Sequence, residues 1–209
     1  RSAMPISIQS IIESRVSTTR FDSQRSLSKD HIQKLLKLTT CAPTAYNLQN
    51  WRFLALMSDE AKQRLHPIAY NQSQILEAAA TIVICGRLHG FTQLAENLKP
   101  AVDQGMLPEQ VASAWVSAAT QSHQDNAVLQ RDEAFRSASL AAMTLMLAAQ
   151  GMGLASGPMS GFDAAALHRE FALDEEDVPV VLVTLGYPAH LDREQQKPRR
   201  ALESVASFL

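Results

Sequence analysis

The chain has 209 residues, of which 46% are hydrophobic and 19% charged, with a formal net charge of −2 at pH 7. This is the composition of an ordinary globular protein with enough apolar material for one core. Because no basic excess is present, a nucleic-acid or anionic-membrane partner is not expected. No apolar stretch of the sequence is long enough to span a bilayer. We therefore predict one domain over residues 1–209.

The N-terminal residues and the two cysteines indicate in which compartment the protein is expected. Arg1–Ala3 precede Met4 and are interpreted as a cloning remnant, with no cleavable signal after them. Cys41 and Cys85 lie far apart in the sequence and have apolar neighbours. This predicts buried thiols in a reducing compartment rather than a disulfide framework, and hence a cytoplasmic location.

The first half of the chain predicts two helices and two strands. A helix is predicted to begin after Ser7, and its apolar stripe of Ile8, Ile11 and Ile12 continues one turn later with Arg15. A second helix follows Ser28 and stops at Pro43. The apolar runs RFLALM (52–57) and ATIVICG (80–86) are predicted strands.

The second half predicts mostly helix. Helices are expected near 59–65, in a region from 91 to 122 that is broken at Gly105 and Pro108, and from about 126 to 150. The last of these is apolar nearly all round and should be buried by the sheet, a partner subunit or both. VPVVLVTLG (178–186) is an unbroken β-branched run and therefore a predicted central strand. Few strands among many helices indicate an α+β or α/β layered fold.

Several common sources of catalytic chemistry do not fit the sequence. GMGLASG (151–157) follows a helix and has Ser156 at the third small position, so it does not match the dinucleotide-binding fingerprint. Its glycines are better explained by a helix end and a close approach of backbone to a ligand. The six histidines lack paired ligand spacing, no Cys-x-x-Cys occurs and no nucleophile elbow is present. A metal site is not expected, and an organic cofactor is the economical alternative.

Two groups of polar residues suggest what that cofactor is. Lys197, Arg199 and Arg200 would by themselves be an ordinary solvated surface, but with Arg15 they form a candidate anion clamp. The uncharged polar segments CAPTAYNLQN (41–50) and AYNQSQ (69–74) could hydrogen-bond a flat ring. Flavin mononucleotide (FMN) needs both a phosphate grip and hydrogen bonds along its ring.

Six motifs in order give the chain a family resemblance. They are RVSTTRFD (15–22), APTAYNLQNWRF (42–53), YNQSQILEA (70–78), GMGLASGPMSGF (151–162), GYP (186–188) and KPR (197–199). In this order and spacing the chain resembles the FMN-dependent nitroreductase family. The resemblance implies an α+β fold with a central, mainly antiparallel mixed sheet flanked by helices. It also implies an intertwined homodimer, with a C-terminal extension from about residue 188 to 209 packing on the partner subunit.

The resemblance also implies the binding residues. FMN would lie at the dimer interface, with NAD(P)H as co-substrate, and the loop from Pro43 to Asn47 would come from the other subunit. The residues carried over as cofactor-binding are Arg15, Val16, Ser17, Thr19, Pro43, Thr44, Ala45, Asn47, Asn71, Gln74, Pro158, Met159, Ser160, Gly161, Lys197 and Arg199. Tyr46 and Tyr70 are candidate walls of the substrate pocket, whereas Trp115 is interpreted as a packing residue.

The implied activity is hydride transfer from NAD(P)H through flavin N5 to nitroaromatics, quinones or similar small acceptors. The kinetics would be ping-pong, with no catalytic side chain. GPMSGFD (157–163) also resembles reductases of small semialdehydes, which is an alternative acceptor class. Two further alternatives are an FMN carrier or sensor with little turnover, and a flavin-free helical interaction module.

Some positions depart from the family pattern. Val16 stands where an Arg or His is usual, and Asn50 replaces a proline. Thr19 and Gln74 are neutral where a cation often lies near flavin N1 and O2. Because a cation stabilises reduced flavin, this predicts a lowered reduction potential unless Arg20 turns inward to compensate.

Overall fold

A four-stranded antiparallel sheet forms the centre of the protein. The computed structural model describes residues 6–190 and 195–209. The strands are β1 Trp51–Leu56, β2 Ala80–Arg87, β3 Ala155–Met159 and β4 Asp177–Gly186, in the spatial order β1-β2-β4-β3. All three strand pairings are antiparallel, and Ser17 adds a single parallel bridge to Ser156 of β3. The predicted α+β architecture is confirmed, and β4 is central as its sequence indicated.

Eight helices lie around this sheet in the described part of the chain. They are α1 Ile8–Ser14, α2 Lys29–Thr39, α3 Asp59–Ile68, α4 Gln74–Glu77, α5 Leu94–Asp103, α6 Glu109–His123, α7 Ala127–Gly151 and α8 Ala164–Glu170. Short 3-10 turns cover Ala45–Asn47, Gly90–Gln93 and Leu202–Ser204. None of the described helices is both long enough and apolar enough to cross a membrane.

The helix boundaries follow local chemistry that the sequence revealed. Ser7, Ser28 and Asn126 each accept a hydrogen bond from a backbone N–H of the first turn, at 3.1–3.2 Å, and thereby start α1, α2 and α7. The break between α5 and α6 falls where predicted, because Gly105 has a φ of +71° and Pro108 precedes α6.

Helix α7 packs across one face of the sheet and forms the main core. Its buried residues are Ala134, Ser137, Ala138, Ala141, Ala142, Leu145, Met146 and Ala149. They meet strand residues such as Ile82, Ile84 and Leu185. A Cβ on Gly86 of β2 would lie 2.3 Å from the Ala134 carbonyl oxygen, so the close approach of α7 requires glycine there. The opposite face of the sheet is covered by α3, α4 and α8 through Leu65, Ile75 and Leu167.

Two features differ from the sequence predictions, and two predicted segments lie outside the described residues. Strand β3 was not predicted, because ASGPM has low β propensity; its proline is exposed on an edge strand, where a missing N–H is tolerated. Cys41 was predicted to be buried but is exposed at the end of α2, whereas Cys85 is buried in β2. The proposed remnant Arg1–Ala3 and residues 191–194 of the C-terminal extension lie outside the described residues.

Candidate functional site

The candidate anion clamp is assembled by a side chain from the C-terminal segment. The Gln196 amide donates from Nε2 to the carbonyl oxygens of Ile12 and Arg15, at 2.7 Å each. Lys197 is the residue that follows Gln196, so its backbone is held close to Arg15. Within residues 6–190 and 195–209, no carboxylate lies within 4 Å of the charged groups of Arg15, Lys197 or Arg199. As far as the described residues go, an external anion would therefore meet no competing carboxylate at these cations.

The segment after Arg15 runs along the edge of β3. The Thr18 N–H donates to the Ser156 carbonyl at 2.9 Å, so Val16, Ser17 and Thr19 lie on or beside this edge. A Cβ on Gly157 would lie only 2.2 Å from the Thr18 carbonyl oxygen. Glycine at 157 thus allows the two segments to approach, as the glycine-rich motif suggested, and β3 continues into the predicted binding residues Pro158, Met159, Ser160 and Gly161.

A strained turn brings Asn71 to the same region. Tyr70 and Asn71 both adopt left-handed backbone conformations, with φ of 55° and 56°. The Gln72 amide donates from Nε2 to the carbonyls of Ala69 and Gly161, at 3.0 Å each, and so fastens this turn to the end of β3. Asn71 is exposed, and Tyr70 is 64% exposed.

Gln74 provides an unusual buried acceptor at the centre of this region. It is 7% exposed, and its Oε1 has no hydrogen-bond partner among the described residues. The atom lies 3.2 Å from the Cβ position of Gly157, beside β3. A buried acceptor without a donor is costly, so a small local shift that gives Oε1 a donor would be favourable. The groups that a ligand can reach around it are the exposed Asn71 amide and the cations Lys197 and Arg199, and these fit the ring edge and the phosphate of FMN.

Arg20 does not turn inward. Its Nε pairs with the Glu77 carboxylate at 3.0 Å, and its side chain is 65% exposed. The structure therefore gives no support to the idea that Arg20 supplies the positive charge that Thr19 and Gln74 lack.

The loop Pro43–Gln49 forms a separate part of the predicted site. Tyr46, Asn47 and Gln49 all have positive φ values, between 49° and 63°. The Gln49 N–H donates to Thr44 Oγ1 at 3.0 Å, and the Asn97 amide of α5 donates to the Leu48 carbonyl at 2.9 Å. These contacts, together with the buried Leu48 side chain, hold a conformation that costs about 1 kcal/mol or more per strained residue.

Aromatic contacts join the same loop to α6. The rings of Tyr46 and Trp115 meet edge to face at a centroid distance of 6.2 Å. Asn50, which follows the loop, is 3% exposed and accepts from Ser137 Oγ at 2.6 Å. The residue that replaces the family's proline is thus held by a buried hydrogen bond to α7.

The predicted binding residues therefore fall into two groups within one chain. The clamp group comprises Arg15–Thr19, Asn71–Gln74, Pro158–Gly161, Lys197 and Arg199, and the contacts above bring it together. The loop group is Pro43–Gln49. Among the described residues, no hydrogen bond joins the loop group to the clamp group.

A cavity of about 790 Å³ lies next to residues 13–20 and to Gln195 and Gln196. It is lined by Val16, Thr18, Arg20 and Leu154 among others, and Val16 is the one predicted binding residue on its wall. The predicted flavin surface is instead open in the isolated chain: Ser17, Thr19, Pro43, Asn47, Asn71, Pro158, Ser160, Gly161, Lys197 and Arg199 are exposed. We take the open surface rather than the cavity as the site, because it carries the exposed Asn71 amide and the cations Lys197 and Arg199, which have no carboxylate partner among the described residues.

A group of ion pairs lies at the start of β4, whereas β3 pairs with the other end of that strand. The buried Asp177 carboxylate contacts Arg52 at 2.7 Å and Arg87 at 3.1 Å, and Arg87 also pairs with Glu176. The hydrogen bond that Arg52 donates to the Asp177 carboxylate raises the pKa of Arg52. Burial, and then the nearby Asp177 charge, raise the pKa of the Cys85 thiol to about 12. No group of three or more potential metal ligands occurs in the described part of the chain.

Sequence and structural comparisons agree on the family. The model of the Nitroreductase family matches residues 12–187. YodC of Bacillus subtilis, whose name places it among the NAD(P)H nitroreductases, is 35% identical over 202 residues, covering 95% of this chain and 97% of YodC. The oxygen-insensitive NAD(P)H nitroreductase of Enterobacter cloacae is 25% identical over 206 residues, covering 93% and 95% of the two chains.

A solved structure extends this likeness to the fold. One solved structure is described as a nitroreductase from Exiguobacterium sibiricum in complex with FMN, and it superposes on this chain with a TM-score of 0.89. It is 28% identical and covers 100% of this chain and 99% of its own. The chain belongs to the nitroreductase family.

Three residues that organise the site were not found from the sequence. Gln72, Gln196 and Asn97 each use a side-chain amide to hold a backbone carbonyl of a predicted binding segment or its helix. Gln72 and Gln196 lie within or beside recognised motifs, but their partners are 89 and 181 positions away. No local pattern indicates such contacts.

Proposed function

We propose that the protein is an NAD(P)H-dependent FMN oxidoreductase of the nitroreductase type, with FMN bound between two copies of the chain. The observation that carries the proposal is that the contacts of Gln196, Thr18 and Gln72 gather the predicted phosphate-binding and ring-binding segments in one region of the chain. The FMN in the Exiguobacterium relative and the names of the curated relatives support the same assignment.

The clamp group would hold the cofactor. Arg15, Lys197 and Arg199, with Ser17, bind the phosphate and ribityl end, because guanidinium and ammonium groups pair well with phosphate oxygens. Asn71 and Gln74 hydrogen-bond the polar edge of the ring, and the backbone of Pro158–Gly161 lies along it. Pro43, Thr44, Ala45 and Asn47 of the partner subunit complete the site.

The chemistry that FMN supplies is transfer of a hydride equivalent from NAD(P)H to an acceptor. The residues of this chain orient the reactants and exclude water, so no side-chain acid or base is assigned. We propose nitroaromatics or quinones as acceptors, with Tyr46 and Tyr70 as pocket walls. A cytoplasmic location fits the supply of NAD(P)H.

Exposed apolar residues support the homodimer. Leu140 and Met143 of α7 and Ile8 and Ile12 of α1 are 37–63% exposed. In the C-terminal segment the exposed apolar residues are Leu202, Val205, Phe208 and Leu209. Large exposed apolar side chains that gather in a patch mark interaction sites. We propose that a second copy covers the two helices and receives the C-terminal segment.

Anaerobic stopped-flow reduction of the FMN-loaded protein by NADH and by NADPH tests the activity, with free FMN as control. Rapid bleaching of the flavin by either nucleotide is expected. Flavin that stays oxidised with both would instead favour a carrier or sensor. A protein that takes up no FMN, and sediments as a monomer, would refute the proposal.

Steady-state turnover then separates the acceptor classes. A nitrofuran and a quinone are expected to be reduced faster than a three-carbon semialdehyde. The reverse order would favour the semialdehyde reductase that GPMSGFD (157–163) also resembles.

A further inference from the structure

We propose that Gln196 is the positioning residue that assembles the phosphate-binding end of the site by docking the C-terminal segment onto the end of α1. The inference rests on the proposed FMN site, but concerns a residue that contacts protein rather than cofactor. Its basis is the pair of 2.7 Å hydrogen bonds from Gln196 Nε2 to the carbonyls of Ile12 and Arg15.

The chemistry of these two bonds fixes the orientation of the amide. A side-chain amide nitrogen carries two hydrogens, and both partners here are carbonyl oxygens, which only accept. The amide oxygen of Gln196 could not replace the nitrogen at this position. Ile12 and Arg15 lie at the C-terminal end of α1, where helix carbonyls lack partners within the helix. Gln196 therefore acts as a helix cap from a distant part of the chain.

The same two bonds are the connection of the segment to the body of the protein. Among residues 6–190 and 195–209, the hydrogen bonds that join 195–209 to the rest are those of Gln196. The others in this segment are internal, such as Arg199 Nη1 to the Lys197 carbonyl at 2.6 Å. Within one chain, the described hydrogen bonds that set the positions of Lys197 and Arg199 relative to Arg15 therefore come from one half-buried side chain.

Loss of this anchor should weaken binding of the phosphate and leave binding of the ring intact. Arg15 stays in place because its backbone N–H donates to the Ile11 carbonyl at 3.1 Å, a bond of α1 that does not involve the tail. Lys197 and Arg199, which are exposed, would no longer be held beside it. Two hydrogen bonds of ordinary strength correspond to about ten- to a hundredfold in affinity.

The test compares FMN with riboflavin, which has the same ring but no phosphate. Both flavins are titrated into the full-length flavin-free protein, and their Kd values are measured by flavin fluorescence. Gln196→Met keeps the length of the side chain and removes both donors, and Gln196→Glu replaces them with a carboxylate facing two carbonyls. Gln195→Met is the matched control, because Gln195 is exposed and makes no hydrogen bond among the described residues. Unfolding midpoints of all four proteins check that they fold.

The expected result is a loss of affinity for FMN without a loss of affinity for riboflavin. Both Gln196 variants should bind FMN about tenfold or more weakly and riboflavin as the wild type does, whereas Gln195→Met keeps the wild-type ratio. An unchanged ratio in Gln196→Met overturns the role of Gln196 and leaves the proposed function standing. Equal weakening of both flavins also overturns it, because it indicates a general effect on the fold. A wild-type protein that binds neither flavin refutes the proposed function itself.

Discussion

Replacing Gly157 with alanine tests whether the close approach of β3 to residues 17–18 builds the site. The added Cβ would lie 2.2 Å from the Thr18 carbonyl oxygen, 2.8 Å from Thr184 Oγ1 and 3.2 Å from Gln74 Oε1. Backbone atoms form the closest of these contacts, so a side-chain rotation cannot relieve the overlap. We expect the two segments to separate by about 1 Å, which disturbs the Gln74 environment as well.

Two contributions add up to the expected loss of unfolding free energy in Gly157→Ala. Overpacking a close-packed region costs about 1–3 kcal/mol. The hydrogen bond from the Thr18 N–H to the Ser156 carbonyl, now 2.9 Å, would be stretched beyond its useful range, which costs about 1 kcal/mol more. Gly157→Ala should therefore lower the free energy of unfolding by about 2–4 kcal/mol.

Gly151→Ala is the matched control for the same chemical change. Gly151 is the last residue of α7, and a Cβ there would first meet Ile11 Cδ1 at an ordinary 3.4 Å. Alanine at this helical position should stabilise the protein by about 0.5–1 kcal/mol. Chemical denaturation measures both variants, and an FMN titration follows the site. Wild-type stability together with wild-type FMN affinity in Gly157→Ala would show that the approach of these segments does not matter.

Three further predictions address charge and thiols. Gln74→Lys should raise the flavin reduction potential by about 40 mV, because a buried cation favours the reduced, anionic ring; an unchanged midpoint in a redox titration would contradict this. Asp177→Asn should cost about 3–5 kcal/mol in chemical denaturation, since Arg52 and Arg87 lose a buried carboxylate; a loss below about 1 kcal/mol would show that the pair contributes little. The pKa of Cys85, raised to about 12 from 9.0, means that the folded state keeps a proton that the unfolded chain releases. Above about pH 9 the free energy of unfolding should fall by up to about 1.4 kcal/mol per pH unit, and Cys85→Ala should lack this component.

Much of the fold follows from local patterns in the sequence. The helix caps at Ser7, Ser28 and Asn126 use short-range hydrogen bonds between neighbours, and three strands are long apolar runs, each confirmed to within about one residue. Strand β3 escaped prediction because its pairing with β4, rather than its own composition, makes it a strand.

Less of the candidate site than of the fold could be predicted from the sequence. Motif order identified the family, and the structure gathers the clamp group on one surface. The amide contacts of Gln72 and Gln196 join segments far apart in the chain, so they become visible only when the chain is folded. The left-handed residues Tyr46 and Asn47 are likewise imposed by tertiary contacts, since neither residue type requires a positive φ.

The separation of the loop group from the clamp group has a genetic consequence if each active site draws on two chains. A chain altered at Asn47 and another altered at Arg15 would each be inactive alone. When they pair, one of the two sites receives the intact half from each parent, and the other receives both defects. Random pairing would restore activity to about a quarter of all sites. Complementation between two dead alleles in one cell would then report the swapped arrangement without any structure determination.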